Sequence, residues 1–249
     1  MTTGLRTIID VRPARERMHT SISWLDSWHS FSFGGHFDPA NTHHGLLLVS
    51  NDDTVVPGGG FGEHGHSDRE IVTWGLAGAV EHRDTLGTRG VITPGMAQRM
   101  SAGAGIRHAE MNASAEAPVH FVQMWVPPDT AGIAPGYEER DLTPDLAGGS
   151  LVAVASGRGD AALRIQQRDA ALWAARLPAG GEALLPDAPF VHLFVATGAV
   201  SAEGVPGPAD DGPLSAGDAV RLTAAGPRRV TAGPSGAEIL VWEMARDGA

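Results

Sequence analysis

Four side chains, arranged as two short pairs, are the residues of this sequence best suited to chemistry. His64 and His66 stand in GGGFGEHGHSDREIVTW (residues 58–74), and His108 and Glu110 stand in SAGAGIRHAEMN (residues 101–112). In an extended strand, side chains two residues apart leave the same face, ~6.6 Å apart along the chain. Each pair therefore projects together. If the two strands line one interior, three imidazoles and one carboxylate converge and could bind an ion at ~2.0–2.2 Å per donor. On a six-coordinate ion this set leaves about two positions open, which suits chemistry on a bound ligand better than a closed structural site. A lone His-x-His beside glycines is an ordinary polar turn. A second pair at the same spacing, behind its own Gly-Ala-Gly approach, shifts the reading to a metal.

Glu70 complicates this donor set. It follows His66 by four residues, so on an unbroken strand it shares the histidine face. There it could bind the metal, or accept a hydrogen bond that orients a ligand imidazole. Periodicity does not choose between Glu70 and Glu110. The remaining histidines carry less. His19 lies in a charged segment and is expected to be solvated, while the adjacent His43 and His44 would point to opposite faces. His29 and His36, in WHSFSFGGHFDP, are expected to pack in the core or at a rim. His82 precedes a DTLG turn and is expected to line a hairpin; His120 and His192 sit in apolar strands as core residues.

The chain has no cysteine, which removes disulfides, thiolate ligands and cysteine nucleophiles. A metal must then be held by imidazole and carboxylate, a donor set open to Fe, Mn, Ni, Co, Cu or Zn. The sequence contains no GxSxG elbow, P-loop or dinucleotide fingerprint in a matching context.

Holding two such pairs in register requires strands. With 33 Gly and 17 Pro punctuating short apolar runs, the chain reads as all-β, in sandwich or barrel form. The runs include IVTWGLAGAV (71–80), VHFVQMWV (119–126), FVHLFVATGAV (190–200) and AEILVWEM (237–244); only 168–176 carries a trace of helical spacing. Residues 127–149 are rich in Pro, Gly and charge. The expected organisation is a metal-binding domain at 1–130, a linker at 131–149 and a second domain at 150–249, with a turn-rich loop at 204–212.

The halves echo one another. LAGAV (76–80) recurs as ATGAV (196–200), TPGM at Thr93 as SAGD at Ser215, and a Trp-bearing strand closes each half at Trp125 and Trp242. These spacings lie near ~120 residues, as in two copies of one β unit. The same offset sets Leu184 and Pro186 against His64 and His66, and Arg228 and Val230 against His108 and Glu110. The second copy cannot rebuild the site, and packing is its expected role.

A formal net charge of −11 with 18 dispersed Lys and Arg argues against direct nucleic-acid binding and leaves a protein partner open. No apolar run approaches the ~18–20 residues of a membrane-spanning helix, and the first residues do not read as a leader. A cytoplasmic protein, monomeric by default, is expected.

Four segments together resemble the pirin family of bicupins: WLDSWHSFSFGGHFDP (24–39), GFGEHGHSDREIVTW (60–74), GAVEHRDTLG (78–87) and MSAGAGIRHAEMN (100–112). The likeness is dense over residues 20–126 and looser to the C-terminus, and is greatest to the bacterial members with quercetinase activity. It implies two β-sandwich, jelly-roll domains packed face to face, with one divalent metal, iron first, in the leading one. By position the ligands become His64, His66, His108 and Glu110. Gly65 departs from the proline many pirins carry there.

The resemblance further implies a quercetin 2,3-dioxygenase that takes a flavonol and O2 and releases carbon monoxide. In it Glu110 is both ligand and acid/base, assisted by Glu70. A second class of function, a metal-dependent regulator that binds a protein partner, is known among pirins and fits the acidic surface. A purely structural role fits poorly, because a buried Glu beside histidines is costly without a metal or hydrogen-bond partners.

Overall fold

The central strands carry near-continuous apolar runs and are buried on both faces, and each face finds a distinct environment. The computed structural model describes residues 5–208 and 212–248, so the middle of the turn-rich stretch 204–212 lies outside the described residues. The all-β expectation holds. Apart from one four-residue helix, Thr143–Leu146, and a 3₁₀ turn at Ala14–Glu16, the regular structure described is strand.

In the first half, a seven-stranded antiparallel sheet is centred on strands Glu70–Ala77 and Val119–Val126. It faces a four-stranded sheet in which Gly60–His66 pairs with Ile106–Asn112, which pairs in turn with Val80–Asp84. Alternation divides the central strands cleanly. Val72, Trp74, Val122 and Met124 turn away from the four-stranded sheet and join Leu172, Phe194, Leu240 and Trp242 in one core shared by both halves. Ile71, Met100 and Ile106 pack instead inside the first half.

The shared core is stitched reciprocally. Trp74 Nε1 donates to Glu238 Oε1 at 2.6 Å, and Trp242 Nε1 reaches Met124 Sδ at 3.2 Å.

The second half is one nine-stranded sheet, curled by two long strands, Phe190–Ala202 and Arg229–Met244, whose pairing shifts register twice. Its interior is aliphatic, filled by residues such as Leu193, Val195, Val220, Leu222, Val230 and Ile239. The internal repeat is visible in the backbone. Gly78 and Gly198 adopt φ of 71° and 72°, and Gly95 and Gly217 φ of 86° and 87°, a left-handed region that favours glycine. Leu184 stands opposite Arg229, as His64 stands opposite His108, one residue from the offset expected.

Three segments depart from expectation. Residues 168–176 are not helical: Ala170–Leu177 is a central strand, paired on both sides, because tertiary pairing overrides a weak local pattern. The expected linker 131–149 contributes strand Gly136–Asp141, which pairs with Met96–Ser101 at the edge of the first half's sheet. Strand Ile8–Arg12 pairs with Ala219–Thr223 and so extends the sheet of the second half. Chain order and spatial division therefore disagree at both places.

Candidate metal centre

His64 and His108 meet because their strands are paired with those two residues directly opposite, and His66 follows at strand spacing. The three rings lie 4.5–5.0 Å apart, centroid to centroid. One nitrogen from each falls within 4.8 Å of the others. His108 also belongs to a second group, with His82 and Glu110, in which the same limit holds. His108 thus links both clusters.

The imidazole nitrogens are set up for a cation. The Nε2 atoms of His66 and His108 are buried with no hydrogen-bond partner. His64 Nδ1 lies 2.8 Å from Gly62 O and donates to it, so its Nε2 carries the lone pair. Burial first, then the neighbouring His108 and His64, push His66 down to about 4. Burial first, then His64 and His82, push His108 down to about 3. Neutral rings with orphaned, buried lone pairs are costly unless something accepts those electrons. The residues present fit one divalent metal ion.

Glu110 is 2% exposed and reaches the cluster through the group it forms with His82 and His108. Its Oε1 accepts from Gln98 Nε2 and its Oε2 from Gln123 Nε2, each at 2.7 Å. Those amides are themselves oriented. Gln123 Oε1 accepts from Trp125 Nε1 at 3.0 Å, and Gln98 Oε1 lies 3.0 Å from the Tyr137 hydroxyl. Tyr137 comes from the stretch expected to be a linker, and its ring stacks on His82 with centroids 4.5 Å apart.

Glu70 lies elsewhere. The chain turns at Ser67–Arg69, where Asp68 takes φ 49°, so the strand is broken between His66 and Glu70. Glu70 then falls on the Val72–Trp74 face and accepts from Ser101 Oγ at 2.8 Å and from the Gln166 amide at 3.0 Å, at the seam with the second half. The four-residue spacing misleads because it assumes a continuous strand.

His82 escaped the sequence reading. It is fully buried; its Nε2 donates to Asp84 Oδ2 at 3.1 Å, and its Nδ1 faces His108 Nδ1 at 3.4 Å. That pairing gives His108 Nδ1 the proton and leaves Nε2 free. The signal was the alternation Val80–His82–Asp84, which puts both polar groups on one face; the turn after Asp84 masked it. Replacing His82 with Leu is expected to weaken metal binding ~10- to 100-fold, the usual effect of losing a partner that orients a ligand imidazole. Competition with a chromophoric chelator measures this directly.

A cavity of about 310 Å³ opens in front of His64, His66 and Glu110. Leu25, Phe33, Phe61 and Trp125 give it apolar walls, and His29, Asn51 and Asp53 line its polar side. The size is within the usual range of small-molecule pockets. Burial first, then the nearby charges of Asp52 and Glu110, raise Asp53 to about 7 against the Ser27 hydroxyl that donates to it.

A carboxyl whose folded value exceeds its unfolded one is held protonated by the fold. Its contribution to stability is therefore lost as pH rises from about 4 to about 7 and is flat above. The Asp53→Asn variant should lack that slope. Urea unfolding at pH 5 and pH 8 should show wild type losing stability relative to the variant at the higher pH.

The model of the Pirin family matches residues 10–126. Rv0181c of Mycobacterium tuberculosis is 54% identical over 239 residues, 95% of either chain. Bacterial pirin YhhW of Escherichia coli, solved in complex with nickel(II), superimposes with a TM-score of 0.85 at 34% identity, over 96% of this chain and 100% of that one. The chain belongs to the pirin family. A protein of Escherichia coli K12 named quercetin 2,3-dioxygenase is 42% identical over 160 residues, 64% of this chain and 68% of its own. The curled sheets described above are accordingly the two cupin units of a pirin bicupin. Among the described residues, no helix is long and apolar enough to cross a membrane.

Proposed function

We propose that this pirin is a metal-dependent dioxygenase that opens the heterocyclic ring of flavonols, with O2 consumed and carbon monoxide released. The ligands would be His64, His66, His108 and Glu110. The observation that carries this reading is the juxtaposition of orphaned imidazole nitrogens and a buried carboxylate at the end of an apolar-walled cavity.

A divalent cation held there would supply Lewis acidity toward a phenolic oxygen and, if redox-active, a route for electrons between substrate and dioxygen. Iron is the expected ion; the neighbour's nickel and the donor set admit others. The chain's own residues do the rest. Phe33, Phe61 and Trp125 hold the flat rings and exclude water. Glu110, kept as an acceptor by two amide donors, takes the proton of the flavonol 3-hydroxyl on an Oε atom and returns it to the opened product. Asp53, with His29 and Asn51, faces the remaining hydroxyls.

The test is aerobic incubation with quercetin, following flavonol absorbance and carbon monoxide after loading with iron, manganese, cobalt, nickel, copper or zinc in turn. Turnover abolished by chelation supports the proposal. No turnover with any of the six rejects it and leaves a metal-dependent regulator as the reading to pursue.

A further inference from the structure

Where the N-terminal segment crosses onto the second half, three arginines line one small cavity. Arg12, Arg17 and Arg221 border it together with Glu16, Ser30 and Asn41, and its volume is about 20 Å³. Three buried polar atoms without a hydrogen-bond partner belong to this lining: Arg17 Nε, Arg221 Nε and Ser30 Oγ. The side chain of Arg17 is 4% exposed, and Ser30 and Arg221 are 8% and 5% exposed.

The arginines are unequally paired. Arg12 pairs with Asp10 at 2.8 Å and Arg17 with Asp52 at 3.1 Å. Arg221 has no carboxylate within ion-pair distance among the described residues. Its Nη2 donates to Ser30 O and to Asn41 Oδ1, both at 2.7 Å, and its guanidinium lies over the Phe31 ring, 4.3 Å from the centroid. These neutral partners satisfy donors without cancelling a charge. Burial first, then Arg12, lowers the Arg221 value to about 10, against Asp10, its cross-strand neighbour, which raises it. A buried cation whose cross-strand carboxylate is already engaged by another arginine is among the costlier arrangements in a protein interior. Water could fill the orphaned donors but would leave the charge as it is.

We propose that this seam cavity is a binding site for one small monovalent anion of chloride size, received by Arg17, Arg221 and the Ser30 hydroxyl. The space admits about one water-sized particle, which excludes any flavonol or phosphorylated metabolite. Ser30 belongs to the first half, whereas Arg221 lies on Ala219–Thr223 of the second. The bound ion therefore joins the halves and stabilises their packing.

The experiment compares thermal unfolding of wild type and the Asn41→Asp variant as gluconate is replaced by bromide at constant ionic strength. The variant places a carboxylate where Asn41 Oδ1 now stands, 2.7 Å from Arg221 Nη2. It supplies the missing charge from within. Wild type should gain roughly 3 °C, saturating with bromide. Asn41→Asp gives up the Nδ2 bond to Ser30 O, 3.3 Å long, and should show no saturable gain. Any general effect of bromide on the solvent is common to both proteins and cancels in the difference. Ser30→Ala, which keeps every charge, should shift the half-maximal bromide concentration upward ~3- to 10-fold. Crystals grown in bromide should show an anomalous peak within hydrogen-bond reach of Arg221 Nε. Equal responses in wild type and Asn41→Asp, or a cavity holding only water in bromide, would overturn the proposal.

Discussion

Glu110→Gln should lower the turnover of quercetin by ~10²- to 10⁴-fold, the range typical for loss of a positioned general base. Metal content should fall far less, because His64, His66 and His108 remain. The geometry explains why an isosteric change is so damaging. Both carboxylate oxygens accept from amide N–H groups, of Gln98 and Gln123, at 2.7 Å. An amide in place of the carboxylate turns one acceptor into a donor that faces another donor.

Relief would require one neighbour to flip. Flipping Gln123 would forfeit the bond from Trp125 Nε1, whereas a flipped Gln98 would donate to the Tyr137 oxygen, whose proton goes to Glu139 Oε2 at 2.8 Å. The variant should therefore relax through Gln98 and lose less than about 1 kcal/mol of stability, since no buried group need go unsatisfied. Glu110→Asp keeps the charge but withdraws it by one methylene, and should fall between the two in turnover. Steady-state rates, elemental analysis and urea unfolding separate the three effects. Unchanged turnover in Glu110→Gln would remove Glu110 from the chemistry.

How far this site could be read from the sequence depends on which physical constraint placed each residue. That His64 and His66, and likewise His108 and Glu110, project together was legible because two residues on one strand share a face, whereas the choice of Glu110 over Glu70 came only from the family resemblance. The place of Glu70 was not legible, since its relation to His66 crosses a turn in which the chain changes sheets. Gln98 and Gln123 sit on strands of the opposing sheet, MAQRMS and VHFVQMWV, each flanked by an alanine, valine or methionine on at least one side. A lone amide in such a run is a signal of a buried hydrogen-bond partner, but the identity of that partner is long-range.

Tyr137 is a harder case. The composition around it, rich in Pro and Gly, reads as a linker, and only its pairing with Met96–Ser101 brings it to His82. The two halves themselves were visible through a backbone demand for glycine, at Gly78 and Gly198 and at Gly95 and Gly217. The strand that crosses between them, Ile8–Arg12, left no local trace, because a strand's choice of sheet is decided by tertiary packing.

Alanine at His64, His66 or His108 should reduce bound metal below ~10% of wild type after dialysis, since a three-imidazole set that loses a member keeps few protein donors. The three variants should nevertheless differ in the apoprotein. His64 and His66 are only half-buried, so truncation removes little packing. At His66 it also deletes a buried, unpartnered nitrogen, and the apo variant should be at least as stable as apo wild type.

His108 is 1% exposed, packs against His64, His66 and His82, and belongs to both donor groups. Its removal leaves a cavity and strands His82 Nδ1 without its neighbour, so His108→Ala should be destabilised by about 2–4 kcal/mol even without metal. Thermal unfolding with and without added nickel(II) distinguishes these cases. Wild type should gain stability as the ion satisfies the orphaned nitrogens, and none of the variants should. A variant that kept the full nickel response would show that its imidazole is not a ligand, and the donor set would have to be redrawn around His82.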